Sequence, residues 1–242
     1  MPEPEQNLTG RQLEMVKVMD ASGRDLLHLI NDILDLSKIE AGSATVEIGE
    51  VATATLGDEL DKSFRYQVEA KGLAWSMDFD PGLPPVLHTD AQRVKQLLTN
   101  LLSNPLKFTS KGSISLSARV ARSGWSPGHH GLAGAAVVVA FSVHDTGIGI
   151  APDKRKLIFE AFQQADASTS RRYGGTGLGL ATSREIARLL DGELTVQSEE
   201  RRGSTFTFYL PQPRVAATSA GEAAPAPGNG ASGAPAFWRA SA

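Results

Sequence analysis

The sequence predicts an α/β (α+β) two-layer sandwich: a mixed, mostly antiparallel sheet covered by helices and preceded by one long amphipathic helix. Three observations predict it. Residues 8–41 carry a helical repeat with no internal proline. Strand-like and helix-like apolar patterns then mix from residue 44 to 210. Several consecutive strands are joined by links of hairpin length, which suits antiparallel neighbours.

In the first helix Val16, Met19, Gly23, Leu26, Ile30 and Ile33 step by three and four, and Leu27 and Leu34 widen the seam. Gly42 follows as a C-terminal stop. One helix cannot bury such a stripe alone, so it needs a second helix from this chain or from a partner. ATVEIGEV (44–51) alternates as a short strand would. A helical pattern covers 54–70 and ends at Lys71-Gly72; LAWSMDF (73–79) reads as a strand and DPGLPP (80–85) as a turn-rich loop. Residues 90–104 read as a helix with Asp90 as N-cap and Val94, Leu97, Leu98, Leu101 and Leu102 as its apolar face. Strands 113–120 and 135–144 follow, joined by the Gly/Ser/Pro-rich loop 122–134. After a polar stretch come a glycine-led helix at 177–191 and two last strands, 193–198 and 204–210. Residues 214–242 are an Ala/Pro/Gly/Ser mixture that cannot bury enough apolar surface to offset its ordering entropy, and disorder is expected there.

Composition narrows the chemistry. A formal net charge of −3 gives no reason to expect nucleic acid or an anionic membrane as the main partner. With no cysteine, disulfides, thiol catalysis and Cys-ligated zinc are excluded, which suits a reducing compartment. No run reaches the ~18 apolar residues of a membrane span. The start, MPEPEQNLTG, lacks the basic and apolar regions of a signal peptide.

The segment GGTGLGLATSREIARLL (174–190) places alternating glycines directly before an apolar helical pattern. A helix N-terminus attracts anions, and glycine lets backbone N–H groups approach a ligand closely. No Lys follows Gly179, so this is not a Walker A loop. Glycines at 175, 177 and 179, preceded by a polar segment rather than a strand, do not make a Rossmann fingerprint. Two readings stay open on this segment alone: a phosphate cradle, or a flexible connector between helices.

Other pieces point the same way. VHDTGIGI (143–150) ends a buried strand with Asp145, Gly147 and Gly149, and NLLSNPLKFT (100–109) places Asn100 and Asn104 four apart on one helix face. In order and spacing, LLTNLLSNPLKFTSKG (97–112), DTGIGI (145–150), IFEAFQQAD (158–166), GGTGLGL (174–180) and ERRGSTFTFYLP (200–211) resemble the ATP-binding domain of sensor histidine kinases. These belong to the wider group that includes heat-shock chaperone and gyrase-type ATPases. SRRYGGTGLGLA and LINDILDLSKIEAG (29–42) look most like the hybrid branch, and the resemblance spans about 20–211.

The resemblance implies ATP and Mg²⁺ as ligands. Asp145 would accept from the adenine amine, a pairing that rejects bases lacking it. Asn104 would ligate Mg²⁺, with Asn100 supporting that site or contacting phosphate. Lys107 would reach phosphate oxygens as a point charge. Gly147, Gly149, Gly175, Gly177 and Gly179 would let the backbone wrap the nucleotide under a lid at about 150–176. Arg171 and Arg172 in that lid would stabilise charge on the γ-phosphoryl group. Phe159 and Phe162 read as packing anchors. His129, His130 and His144 are given no chemical role, and the role of Gln96 is open.

The sequence also departs from the family. The helix that carries the acceptor histidine is not found, because residues 8–41 resemble only its second helix; His28 lacks the acceptor context and reads as structural. The expected organisation is therefore a phosphotransfer-domain remnant at 1–43, an ATP-binding catalytic domain at 44–213 and a low-complexity tail at 214–242. The expected activity is transfer of the ATP γ-phosphoryl group to a histidine on a partner chain in the cytoplasm, and the alternative is a nucleotide-binding module without turnover. A response-regulator receiver domain is a second expected partner, and residues 8–41 offer a homodimer contact. Pro105 stands where relatives usually carry alanine. Proline inside a helix costs roughly 3 kcal/mol and disfavours helical angles at its predecessor, so a kink or early helix end displacing Asn104 is expected.

Overall fold

The computed structural model describes residues 9–161 and 177–213. Helix α1 (Gly10–Glu40) starts at a capping box, in which Thr9 and Gln12 exchange side-chain and backbone hydrogen bonds. It stops at Gly42, whose φ of +65° lets the chain reverse and return N–H groups to the Lys38 and Ile39 carbonyls. There follow β1 (Gly49–Ala52), α2 (Thr53–Ala70), β2 (Ala74–Phe79), β3 (Val86–Thr89), α3 (Ala91–Phe108), β4 (Ser113–Ala121), α4 (His130–Gly134) and β5 (Val137–Asp145). After two 3₁₀ turns at Pro152–Lys154 and Leu157–Phe159 come α5 (Gly179–Leu189), β6 (Glu193–Glu199) and β7 (Gly203–Gln212).

The main sheet has the order β2-β4-β5-β7-β6; β2 runs parallel to β4 and every other pair is antiparallel. A separate two-stranded ribbon pairs β1 with β3. Period-two alternation sends Ile114, Leu116 and Ala118 of β4, Val139, Phe141 and Val143 of β5, and Phe206, Phe208 and Leu210 of β7 into one core. Leu56, Leu60, Phe64 and Val68 of α2, the leucines of α3, and Ile186 of α5 close that core from the helical side. The predicted sandwich is the observed one.

The differences are local. Residues 44–48 are not paired, and the strand forms only at Gly49–Ala52. Residues 86–89, to which the sequence reading gave no element, form β3, four residues defined by pairing with β1. The loop 122–134 contains α4, and Trp125 stacks edge-on against Tyr209 at 5.6 Å to seat it on the outer face of the sheet with Leu132 and Val138.

Pro105 does not end α3 early. The helix continues through Phe108, and Thr109 N–H donates to the Pro105 carbonyl at 2.9 Å. The reason is burial: Leu106, beyond the proline, joins the core, and a fully buried leucine is worth about 1.5–3 kcal/mol. Lys71 also donates to the Leu106 carbonyl, satisfying one acceptor at the helix end.

Candidate functional site

Asp145 is the last residue of β5, placed opposite Ile114 of β4 and Ser204 of β7, and it is 5% exposed. Its Oδ1 accepts from Gly147 N–H at 2.7 Å and from the Thr109 hydroxyl at 3.5 Å. Burial pushes this carboxyl above its ordinary value, although the Gly147 N–H, the neighbouring His144, Thr109 and Ser204 N–H all favour the charged form. A carboxylate offers about four acceptor positions, so three protein donors leave capacity for one more N–H. At Gly147 a Cβ would lie 2.7 Å from Asp145 Oδ1, 2.8 Å from Thr109 Oγ1 and 2.9 Å from the Phe108 carbonyl. Glycine is there because the backbone passes directly over the carboxylate.

Helix α3 forms one wall. Asn100 is nearly fully buried, and its Nδ2 donates to the Gly179 carbonyl at 3.4 Å, fastening α3 to the first residue of α5. Asn104 lies one turn further along the same face, and its Nδ2 is buried without a hydrogen-bond partner among the described residues. Thr109 caps the end of the helix, so α3 runs from the Gly179 contact to the Asp145 contact. Nine steps of 1.5 Å rise from Asn100 to Thr109 make that run about 13.5 Å. Lys107, in the last turn, is exposed.

Gly177 has φ +71° and leads into α5, which begins without a side-chain cap. The start of a helix carries N–H groups without intrahelical partners and the positive dipole end, both of which suit an anion. At Gly179 a Cβ would lie 3.9 Å from Asn100 Cγ, in ordinary contact. Gly149 faces elsewhere: its φ is +67°, and a Cβ would strike the Glu199 carbonyl at 2.0 Å, so this glycine seats the turn on the β6–β7 hairpin. Arg171, Arg172, Gly175 and Phe162 lie outside the described residues. Phe159 packs edge-on against Phe206 at 6.4 Å, as expected of an anchor, with the Arg184 guanidinium over its ring.

The comparisons bear on this arrangement. Residues 89–214, slightly more than half of the chain, match the family described as histidine kinase-, DNA gyrase B-, and HSP90-like ATPase. The chain belongs to this ATPase family. Within it, the chain is 37% identical over 207 residues to the circadian input-output histidine kinase CikA of Synechococcus elongatus, covering 85% of the chain and 26% of that protein. It is 36% identical over 204 residues to hybrid signal transduction histidine kinase B of Dictyostelium discoideum, covering 84% of the chain and 10% of that protein. It is 34% identical over 203 residues to the signal transduction histidine-protein kinase BarA of Escherichia coli, covering 84% of the chain and 21% of that protein. The chain thus spans a tenth to about a quarter of the length of these relatives. Full-length ShkA, solved in complex with AMPPNP, superposes with a TM-score of 0.67 at 31% identity, covering 86% of the chain and 40% of ShkA. The Acinetobacter baumannii histidine kinase AdeS shares the fold, with a TM-score of 0.60 at 21% identity and 87% of each chain covered. The chain carries a histidine-kinase-type ATPase catalytic domain.

Two residues that contact Asp145 escaped the sequence reading. Thr109 is 3% exposed and reaches Asp145; its signal was its place directly after Lys107-Phe108 in the asparagine segment. Gly203 has φ +107°, and a Cβ there would lie 1.9 Å from the Asp145 carbonyl, so β7 can reach the end of β5 only through glycine. His129 is structural: its Nδ1 accepts from Leu132 N–H to cap α4. His144 is exposed and meets the Thr205 hydroxyl across the strand pair. Among the described residues no cluster of acidic and histidine side chains forms a metal cage.

Proposed function

We propose that this chain is the ATP-binding catalytic module of a two-component sensor histidine kinase, passing the γ-phosphoryl group of ATP to a histidine on a partner chain. One observation carries the reading: a single helix, α3, joins the buried Asp145 carboxylate at one end to the start of α5 at the other, through Asn104. That run suits an extended ligand with a base at one end and phosphates at the other. Asp145 would take the purine amine, and Gly147 lets the backbone pass close to that carboxylate, where a Cβ would collide with it. The N–H groups at the α5 start, after Gly177, would receive phosphate oxygens, with Lys107 adding a point charge. Gly175, Gly179, Arg171 and Arg172 would complete the proposed cradle, with Arg171 and Arg172 stabilising charge on the γ-phosphoryl group.

The residues present fit a magnesium ion. Asn104 has a buried amide atom with no partner among the described residues, and an amide reads equally well with its oxygen at that position. An unpaired amide oxygen is a donor that Mg²⁺ accepts, and Asn104 would hold the ion. When bound, Mg²⁺ neutralises charge on the nucleotide phosphates. In the transfer itself the bond from the γ-phosphorus to the β–γ bridging oxygen breaks and a bond to the acceptor imidazole nitrogen forms. ADP leaves, and the imidazole proton passes to a base beside the acceptor.

The reading takes 1–43 as part of a phosphotransfer domain and 44–213 as the ATP lobe. The exposed Val16, Met19, Leu26, Leu27 and Leu34 of α1 support a helical partner, whether a second copy or a chain bearing the acceptor helix. A receiver domain is the onward partner in this reading; one related structure is a histidine kinase, ThkA, solved with the response regulator TrrA. No helix among the described residues is long and apolar enough to cross a membrane, and the need for ATP assigns the domain to the cytoplasm.

The test has two parts: titration with an ATP analogue with and without Mg²⁺, then incubation with ATP and a partner bearing the acceptor helix. An acid-labile, base-stable phosphoprotein is expected. Nucleotide binding without any phosphoprotein would favour a regulatory module, and phosphate release without acceptor would favour a gyrase-like ATPase. No nucleotide binding at all would end the reading.

A further inference from the structure

Helix α1 leaves most of its apolar residues in solvent, yet near its C-terminal end it is held to the ATPase lobe by a closed polar ring. Asp35 Oδ2 accepts from Gln96 Nε2 at 2.8 Å, Asp35 Oδ1 pairs with Arg93 Nη1 at 3.1 Å, and Arg93 Nη1 donates to Gln96 Oε1 at 3.1 Å. Each member contacts the other two, and the ring fixes which way the Gln96 amide faces. Arg93 and Asp35 are only 16% and 21% exposed, so screening acts on this pair less than on an open surface pair. Burial pushes the Asp35 carboxyl up, but the bonds from Gln96 and Arg93 and the charges of Arg93 and Lys38 outweigh it and hold the carboxyl low.

The ring sits on a meaningful face. Gln96, Asn100 and Asn104 follow at four-residue steps along α3, so the residue that grips α1 is in line with the two asparagines of the nucleotide wall. A second tie lies beside it: Asp90, the N-cap of α3, accepts from Glu47 N–H at 3.1 Å, and Ile39 and Val46 pack on the main core. Helix α5, fastened to Asn100 through Gly179, also packs against α1.

We infer that Asp35, Arg93 and Gln96 form a positioning clasp that sets where the nucleotide face of α3 stands relative to helix α1. This rests on the proposed transfer reaction, in which the acceptor histidine belongs to a helix packed beside α1. The clasp acts on the alignment of donor and acceptor and does not touch nucleotide, so it governs the rate of transfer rather than ATP affinity. It gives Gln96 a role that the nucleotide site does not.

The test uses the full chain. It contains no cysteine, so spin labels can be attached at Met19→Cys on α1 and Tyr66→Cys on α2, both exposed positions. The parent chain is expected to give one narrow distance distribution. Asp35→Ala should broaden it, lower the saturated rate of phosphotransfer to a partner helix at least tenfold, and leave the KM for ATP within about twofold. Asp35→Glu, and the exchanged pair Asp35→Arg with Arg93→Asp, should recover the narrow distribution and part of the rate. Circular dichroism on each variant separates loss of fold from loss of the clasp, and Asp35→Asn serves if the alanine variant is unstable. An unchanged distance distribution and an unchanged rate in Asp35→Ala would overturn the clasp. A parent chain that binds no ATP analogue would instead overturn the proposed function, leaving the distance measurement to judge the clasp.

Discussion

Asp145→Asn is expected to weaken nucleotide binding while leaving the fold as stable as before, or more so. The carboxylate is buried and its pKa is raised, chiefly by desolvation. Between the ordinary carboxyl value near 3.8 and the raised folded value, the native chain holds the proton more tightly than the unfolded chain does. Stability therefore falls as pH rises through that window, and above it the charged carboxylate carries a constant cost. Asparagine removes that cost and keeps an oxygen for Gly147 N–H. The same geometry predicts the loss of affinity. With its oxygen held at Gly147 and Thr109, the amide turns its NH₂ toward the place where a purine amine would donate, and donor then meets donor. A hydrogen bond to a charged group is worth about 1.5–3 kcal/mol, which at about 1.4 kcal/mol per decade is roughly 10- to 150-fold. Calorimetric titration with a non-hydrolysable ATP analogue measures the affinity, and thermal denaturation from acid to neutral pH measures the stability. The reasoning is refuted if the asparagine variant binds as tightly as the parent, or if it melts several degrees lower at neutral pH.

Three further outcomes follow from the same structure. Gly203→Ala should lower the urea midpoint sharply, because it combines backbone strain of about 1–3 kcal/mol with an overlap costing about 1–3 kcal/mol; Gly179→Ala, whose Cβ meets only Asn100, at 3.9 Å, among the described residues, should leave it unchanged or raise it. Equal losses in the two variants would contradict the contact geometry. Pro105→Ala restores an N–H for the Leu101 carbonyl and should raise the melting temperature, by up to about 3 kcal/mol of stability; unchanged melting together with unchanged Mg-ATP affinity would show that the proline is neutral. The Asp35 clasp has a lowered folded pKa, so its contribution is present above about 3.8 and is lost as pH falls through the lower folded value. Partial exposure keeps that contribution at about 1 kcal/mol or less, and Asp35→Asn should flatten the acid limb of the melting profile by that amount.

The candidate site could be proposed from the sequence because each part of it is written locally. The glycine spacing at 177 and 179, the aspartate at the end of a dry strand and the paired asparagines on a helix face each reflect backbone needs within a few residues. What escaped were the residues that matter through a distant neighbour. Thr109 has meaning only because β5 ends beside it, and Gly203 only because β7 starts against the Asp145 carbonyl. Gly149 carried the same local signature as Gly147 yet serves the β6–β7 hairpin.

The sequence by itself determined the fold class, the helical stripes and the strand alternation, because burial on one face imposes a period of 3.6 or 2 on the residues themselves. Tertiary structure alone decided the strand order, the parallel pairing of β2 with β4, the existence of the four-residue β3 and the survival of α3 past Pro105. It also decided that Asp35, 61 residues from Gln96 along the chain, grips α3. Periodicity records only which side of an element is dry. Which partner lies on that side is settled by hydrogen bonds and packing between segments far apart in sequence, and these can override a local preference of a few kcal/mol such as that of proline.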